Sequence, residues 1–296
     1  MITFEEFTQV VMEGLQQLVG NGCQIRKAQS LRNNGLKRTG ITAVREEGNV
    51  FPVIYLEQFY NDYKFEDCTI NEIVEKVHAL LEQHSGKTLD QFNVDDFQDW
   101  DKTKTHVFAK LINAKMNKEL LEDVPHRILM DLAEVFYVKV YGNQMEGVGT
   151  IPIRNDHKTF WKVDEAILHK TALANMAADQ TEFTNMTNLV KLTLSEELDP
   201  EVSSMYVLSN SSGLFGAAEI LDENILCDIA EQLEDDIIIL PSSVHEVIVI
   251  PAKTRQYEEL AGMVKEINAT CLSPDEILSN HVYRFDWNTK EVNIVA

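Results

Sequence analysis

Basic residues, cysteines and long apolar runs are all scarce in this sequence, and each shortage removes a class of function. Lysine and arginine together number 26 in 296 residues, against 48 aspartates and glutamates, for a net charge of −22. A chain with that balance is expected neither to bind nucleic acid in general nor to rest on an anionic membrane surface. The apolar runs Ile237 to Leu240 and Val247 to Ile250 are four residues each, far short of the roughly 20 that cross a bilayer. The four cysteines, Cys23, Cys68, Cys227 and Cys271, form no Cys-x-x-Cys, which suits reduced thiols better than a disulfide framework or a zinc site. The start, Met1-Ile2-Thr3-Phe4-Glu5-Glu6, has no basic or apolar leader region, so a cytoplasmic protein is expected. With 13 glycines, 7 prolines and 8% aromatics, the collagen-like and low-complexity classes fall away. A chain of this length buries roughly 75% of its unfolded surface without help from metals or disulfides.

What is present is a mixture of helical and extended patterns. Thr3-Phe-Glu-Glu6 is a capping box, and Phe4, Phe7, Val11, Leu15 and Leu18 follow at helical spacing as far as Gly20-Asn21-Gly22. Extended segments at 23–32 and 37–45 flank Asn33-Asn34-Gly35, a hairpin signal because asparagine and glycine tolerate positive φ. Residues 51–55 read as a strand leading into a helical turn at 56–63. Thr69-Ile-Asn-Glu72 opens a second capped helix through Leu81. Further on, strands are expected at 105–113, 128–141 (one strand or a pair) and 151–153, with helices at 117–122 and from Asp164 to about 177. The polar stretch 179–204 reads as a linker. Strands at 205–208 and 215–220 then precede a helix capped by Asp222. Ile237 to Leu240 and Val247 to Ile250 read as strands buried on both faces. A helix at 256–268, a short helix opened by Ser273-Pro274 and a hairpin at 281–295 complete the chain. Hairpins and helices in mixed order give an α+β fold, with two packed subdomains expected at 1–150 and 151–296.

Charge is unevenly placed. Between Gly14 and Arg45 lie Arg26, Lys27, Arg32, Lys37, Arg38 and Arg45 with no acid, whereas Thr171 to Ala252 holds fifteen acids and only Lys191. The basic hairpin residues Arg26, Lys27, Arg32, Lys37 and Arg38 are therefore candidate binding residues, and the acidic half is a second candidate surface.

Among possible chemical motifs, Pro241-Ser242-Ser243-Val244-His245-Glu246 places hydroxyls, an imidazole and a carboxylate together. Ser242, Ser243, His245 and Glu246 are the candidate catalytic residues of a serine-dependent hydrolase, although the Gly-x-Ser-x-Gly elbow is absent. Position 249 is Val249, so the zinc-protease pattern fails. Asp95-Asp96-Phe97-Gln98-Asp99-Trp100-Asp101 lacks the ligand and glycine positions of a calcium loop and reads as an acidic turn. Gly147-Val148-Gly149 meets Pro152 where a dinucleotide fingerprint needs its third glycine. No cofactor and no metal is expected.

Phe51-Pro-Val-Ile-Tyr-Leu-Glu-Gln-Phe-Tyr60, Leu111-Ile-Asn113 with Asn117-Lys-Glu-Leu-Leu121, Asp123-Val-Pro-His126, Ile239-Leu-Pro-Ser-Ser-Val-His-Glu246 and Leu278-Ser-Asn-His-Val-Tyr283 form one ordered set. Together they resemble a bacterial family of unknown function, found in Gram-positive gut anaerobes and often beside mobile-element genes. The resemblance implies one continuous family unit in the cytoplasm and supplies no activity, cofactor or site residue. The leading expectation is a non-enzymatic binding or accessory protein acting through charged surfaces, its partner another protein or itself. The serine hydrolase and a self-assembling structural protein are the alternatives.

Overall fold

The computed structural model describes residues 2–45, 53–65, 67–84, 96–141, 148–191, 204–241, 243–253 and 256–296. The chain divides into two compact units, one of residues 1–32, 36–94 and 141–148, the other of residues 33–35, 95–140 and 149–296. The fold is α+β.

In the first unit, helix α1 (Phe4–Val19) begins where the Thr3 hydroxyl accepts from Glu6 N, and the Glu6 carboxylate accepts in return from Thr3 N at 2.7 Å. Its apolar stripe, Phe7, Val11 and Leu15, is fully buried. Strands β1 (Cys23–Leu31) and β2 (Lys37–Arg45) pair antiparallel from Cys23 opposite Arg45 to Leu31 opposite Lys37. Asn34 and Gly35 turn the chain at φ 59° and 71°, values that favour these two residue types. Strand β3 (Val53–Tyr55) adds to β2, and helices α2 (Glu57–Lys64) and α3 (Ile70–His84) follow. Ile25, Ile41, Leu56, Ile73 and Val77 join the α1 stripe in one core. Tyr60 and Tyr63 belong to it as well, packing against Phe7 with ring centroids 5.2 and 5.6 Å apart.

The first α-helix of the second unit is α4 (Trp100–Thr103), where Asp99 is the N-cap and accepts from Asp101 N. Strand β4 (Val107–Asn113), helix α5 (Lys118–Leu121), β5 (His126–Leu129), β6 (Leu132–Tyr141) and β7 (Val148–Pro152) follow. They make a sheet ordered β4-β6-β5, with β7 also on β6. Helices α6 (Asn155–Trp161) and α7 (Glu165–Ala178) lead to β8 (Thr181–Asn185), α8 (Met186–Lys191) and β9 (Tyr206–Asn210). After a 3-10 helix at Gly216–Leu221 come α9 (Glu223–Leu233), β10 (Ile237–Leu240), β11 (Val247–Pro251), α10 (Tyr257–Thr270), β12 (Tyr283–Asp286) and β13 (Glu291–Ile294). The six-stranded sheet runs β13-β12-β10-β11-β9-β8, with β10 and β11 at its centre.

Polar side chains pin the irregular parts of this unit. Asn34 Nδ2 donates to the carbonyls of Pro274 and Ile277 at 2.8 and 2.7 Å, while Asn117 accepts from Asn34 N. Asp131 accepts from the hydroxyls of Ser279 and Tyr283 at 2.6 and 2.8 Å, and burial pushes the Tyr283 phenol well above its ordinary value.

Three expectations are corrected. The linker at 179–204 contains β8 and α8, because Thr181 to Asn185 find partners on β9 despite their polarity. The strand expected at 215–220 is the 3-10 helix: Phe215 turns left-handed at φ 57° and the chain coils instead of extending. Residues 274–276 form a turn and not a helix.

Gly216 lies so close to its neighbours that a Cβ there would come within 2.6 Å of His245 O and 2.7 Å of Asn210 N. Gly262, on α10, has open space around it. Gly216→Ala is expected to lose about 1–3 kcal/mol in urea unfolding through overpacking. Gly262→Ala is expected to gain about 0.4–1 kcal/mol by restricting the unfolded chain. Equal stability of the two variants would contradict this packing.

Candidate functional site

Ser243, His245 and Glu246 lie in the connection between β10 and β11, and their hydrogen bonds describe a closed turn. Ser243 is 3% exposed. Its hydroxyl donates to Glu246 Oε1 at 3.1 Å and accepts from the backbone N–H of His245 at 2.9 Å and of Glu246 at 3.3 Å. The imidazole of His245 points elsewhere. Its Nδ1 accepts from Phe215 N at 3.2 Å, and the ring stacks on Phe215 with centroids 5.5 Å apart. Because Nδ1 is an acceptor, the ring proton sits on Nε2. In a Ser-His arrangement the serine hydroxyl donates to an imidazole nitrogen. The structure gives Ser243 a carboxylate and two amides in that place. Ser242 lies outside the described residues.

The basic hairpin gathers its charges by strand parity. Arg26, Ala28 and Ser30 share one face of β1 with Arg38, Gly40, Thr42 and Val44 across the ladder, and Arg32, one residue past the end of β1, follows on the same side. On that face Arg32 lies over the Tyr55 ring at 4.7 Å, and Arg26 holds the Gln24 amide oxygen through Nε and Nη2. Lys27, on the opposite face, pairs with Glu5 of α1 at 2.7 Å. Lys37 and Arg38 begin β2, opposite Leu31 and Ser30. The basic residues thus share one strand pair without converging on a point.

The outer edge of β1 is the distinctive feature. Gln16 Nε2 donates to Cys23 O at 2.9 Å and Gln16 Oε1 accepts from Ile25 N at 3.0 Å, so this side chain occupies the place of a neighbouring strand. By the alternation of an antiparallel ladder, the N–H and C=O groups of Lys27, Gln29 and Leu31 point the same way. Among the described residues no strand pairs with them.

A cleft of about 260 Å³ in the second unit is lined from β5, β6, α7, α9, β12 and β13. Its polar end is Glu134, 1% exposed, which accepts from Arg127 Nη1 at 3.0 Å and from His169 Nδ1 at 2.8 Å. Leu129, Leu226, Phe285 and Val292 supply apolar wall, and Lys290 and Glu223 form an exposed pair at 3.3 Å at its mouth. Neither Arg127, Glu134 nor His169 stands out in the sequence, since each lies in a different element and the motif exists only in space. Of two other histidines in this unit, His126 opens β5 with Nδ1 at 3.0 Å from Val124 O, and His157 of α6 packs edge-on against Phe97.

Two more charges are buried nearby in the unit. Lys139 of β6, 3% exposed, pairs with Asp179 at 2.8 Å. Glu219, 2% exposed, accepts from the Thr181 hydroxyl at 2.8 Å. Burial pushes its carboxyl from an ordinary 4.5 up to about 7, with the Thr181 bond opposing and the neighbouring Asp179 and Asp222 adding to the rise. No group of three or more His, Cys, Asp or Glu side chains among the described residues is arranged to hold a metal ion.

An α+β protein with a basic three-stranded sheet in one unit and a small charged cleft in the other is the class these features define. Residues 4–287 match the model of a family of unknown function, DUF5688, and the chain belongs to that family. Neither a curated protein nor a solved structure matches the chain.

Ser243→Ala would leave the amides of His245 and Glu246 without their acceptor, and a loss of about 1–3 kcal/mol in unfolding free energy is expected. A fluorophosphonate probe should leave Ser243 unmodified, and labelling there would contradict its role as a turn cap. Glu219 gives a pH signature. A carboxyl that holds its proton more tightly when folded stabilises the fold fully below about pH 4.5 and loses that contribution as pH rises through about 7. Glu219→Gln should flatten the fall in denaturant midpoint between about pH 5 and 8, and parallel profiles for the two proteins would exclude this effect.

Proposed function

We propose that the protein is a non-enzymatic binding protein whose partner is an extended acidic segment of another protein, added as a further strand at the outer edge of β1, to which no strand pairs among the described residues. The observation that supports this reading most directly is the run of outward N–H and C=O groups at Lys27, Gln29 and Leu31, beyond the two positions already taken by Gln16. Main-chain hydrogen bonds of this kind supply affinity in strand addition, and side chains on alternate positions supply selectivity. Selectivity here comes from Arg26, Lys27 and Arg32, which would flank glutamates or aspartates on both faces of the added strand. The absence of acids between Gly14 and Arg45, in a chain of net charge −22, marks this hairpin out for an anionic partner. The four free cysteines suit a reducing compartment, and we place the protein in the cytoplasm.

The test uses a fluorescein-labelled peptide of alternating valine and glutamate, followed by anisotropy against the full chain. Saturable binding that weakens with salt is expected, and a peptide with lysine for glutamate should not bind. Gln29→Pro removes an outward donor at a position where an edge strand tolerates proline, and it should weaken binding by about tenfold or more. Equal binding by Gln29→Pro, or by the lysine peptide, would overturn the reading. A second copy of the chain as the occupant would show instead as a concentration-dependent dimer that the peptide does not displace, which also counts against it.

A further inference from the structure

The cleft beside Glu134 is independent of the β1 edge and has a chemistry of its own. Glu134 is nearly sealed from solvent and carries both an arginine and a histidine on its two oxygens. A carboxylate accepts, so His169 Nδ1 is the protonated nitrogen, and the carboxylate fixes the ring. Nε2 is then left as the ring's remaining polar atom, with no partner among the described residues. Arg127 uses Nη1 on Glu134, and its side chain stays 44% exposed with its other donors available. Lys290 and Glu223 are both more than half exposed, so their pair is weakly held and the ammonium can turn to another anion.

Beyond this polar end the wall is hydrocarbon. Leu226 and Phe285 are fully buried beneath it, Leu129 and Val292 are half-buried at its sides, and Ile128 stands 58% exposed beside the opening. A volume of about 260 Å³ lies just below the range of roughly 300–1,000 Å³ typical of drug-sized ligands. We propose that this cleft binds a small amphipathic monocarboxylate, its carboxylate on Arg127, His169 Nε2 and Lys290 and its aliphatic chain against Leu129, Leu226 and Val292. A dianion such as a phosphate ester is disfavoured because Glu134 already neutralises one of the cations. An ammonium compound is disfavoured because both oxygens of Glu134 are already engaged by cationic or donor groups.

Methyl NMR of the full chain, titrated with sodium octanoate and separately with octanamide, tests the assignment. Octanoate should give saturable shifts at the methyls of Leu129, Leu226 and Val292. Octanamide, which has the same length but no charge, should bind at least about tenfold more weakly, a difference of 1.4 kcal/mol. Arg127→Gln should weaken octanoate by a similar factor. Lys290→Gln, at an exposed hairpin position that does not threaten the fold, should weaken it measurably with the spectrum otherwise unchanged. Absence of saturable shifts in the cleft, equal binding of acid and amide, or full octanoate affinity in Lys290→Gln together with Arg127→Gln would each overturn the proposal. None of these readouts involves β1, so failure here leaves the strand-addition reading standing, and the reverse holds too.

Discussion

The second unit is organised around the need to satisfy two opposite charges buried in one strand. Glu134 and Lys139 of β6 are 1% and 3% exposed, in a strand whose other described side chains from Ala133 to Val140 are buried hydrophobics. Five residues apart, they project to opposite faces of the strand. One stretch of chain serves both: His169, within α7, meets Glu134, and Asp179, at the C-cap of α7, meets Lys139. A helix shifted along β6 by one turn would strand both charges, and an unpaired buried charge costs far more than a misplaced leucine. Such pairs add little net stability over hydrocarbon of the same shape. What they contribute is a single allowed register between helix and sheet. Asn175 enforces the same register from the next turn of α7, its Nδ2 donating to Lys104 O and Val107 O at the start of β4.

Local chemistry was legible in the sequence, and distant pairing was not. Thr3 with Glu6, Thr69 with Glu72, and Asp164 and Asp222 act as helix caps because a short polar side chain meets nearby amides wherever the helix begins. Asn34 and Gly35 specify the hairpin through positive φ, which is likewise a property of two adjacent residues. The continuous apolar runs at 237–240 and 247–250 likewise lie at the centre of the large sheet. Residues 215–220 misled because Phe-Gly-Ala-Ala-Glu-Ile has no strand alternation to test, and its coil is set by the tight seat of Gly216 against Asn210 and His245. Polar β8 misled in the opposite sense, since an edge strand takes its hydrogen bonds from β9 whatever its composition.

The site residues follow the same division. Ser243, His245 and Glu246 attract notice as neighbours, yet adjacency makes them partners in a turn: an ST-type hydroxyl reaches its own following amides before it reaches an imidazole. Arg127, Glu134 and His169 come from β5, β6 and α7, and only the hairpin at Met130, with φ 56°, folds the first two face to face. Arg127 stands directly opposite Glu134 in that ladder, so their ion pair is a cross-strand pair. The signal available in sequence was a single glutamate amid the apolar run of β6, which on burial demands a cation from somewhere.

The edge strands of the three sheets differ in length and cover. Exposed edges invite pairing, and proteins keep them short, covered or charged. β3, β8 and β13 end their sheets with three, five and four residues. β4 is longer, and Asn175 bonds its outward Val107 carbonyl. β1 has nine residues, and among the described residues the Gln16 amide covers its first two outward positions. The outward positions that follow, Lys27, Gln29 and Leu31, are flanked by Arg26 and Arg32, and charged side chains along an edge are one of the devices that discourage indiscriminate strand pairing.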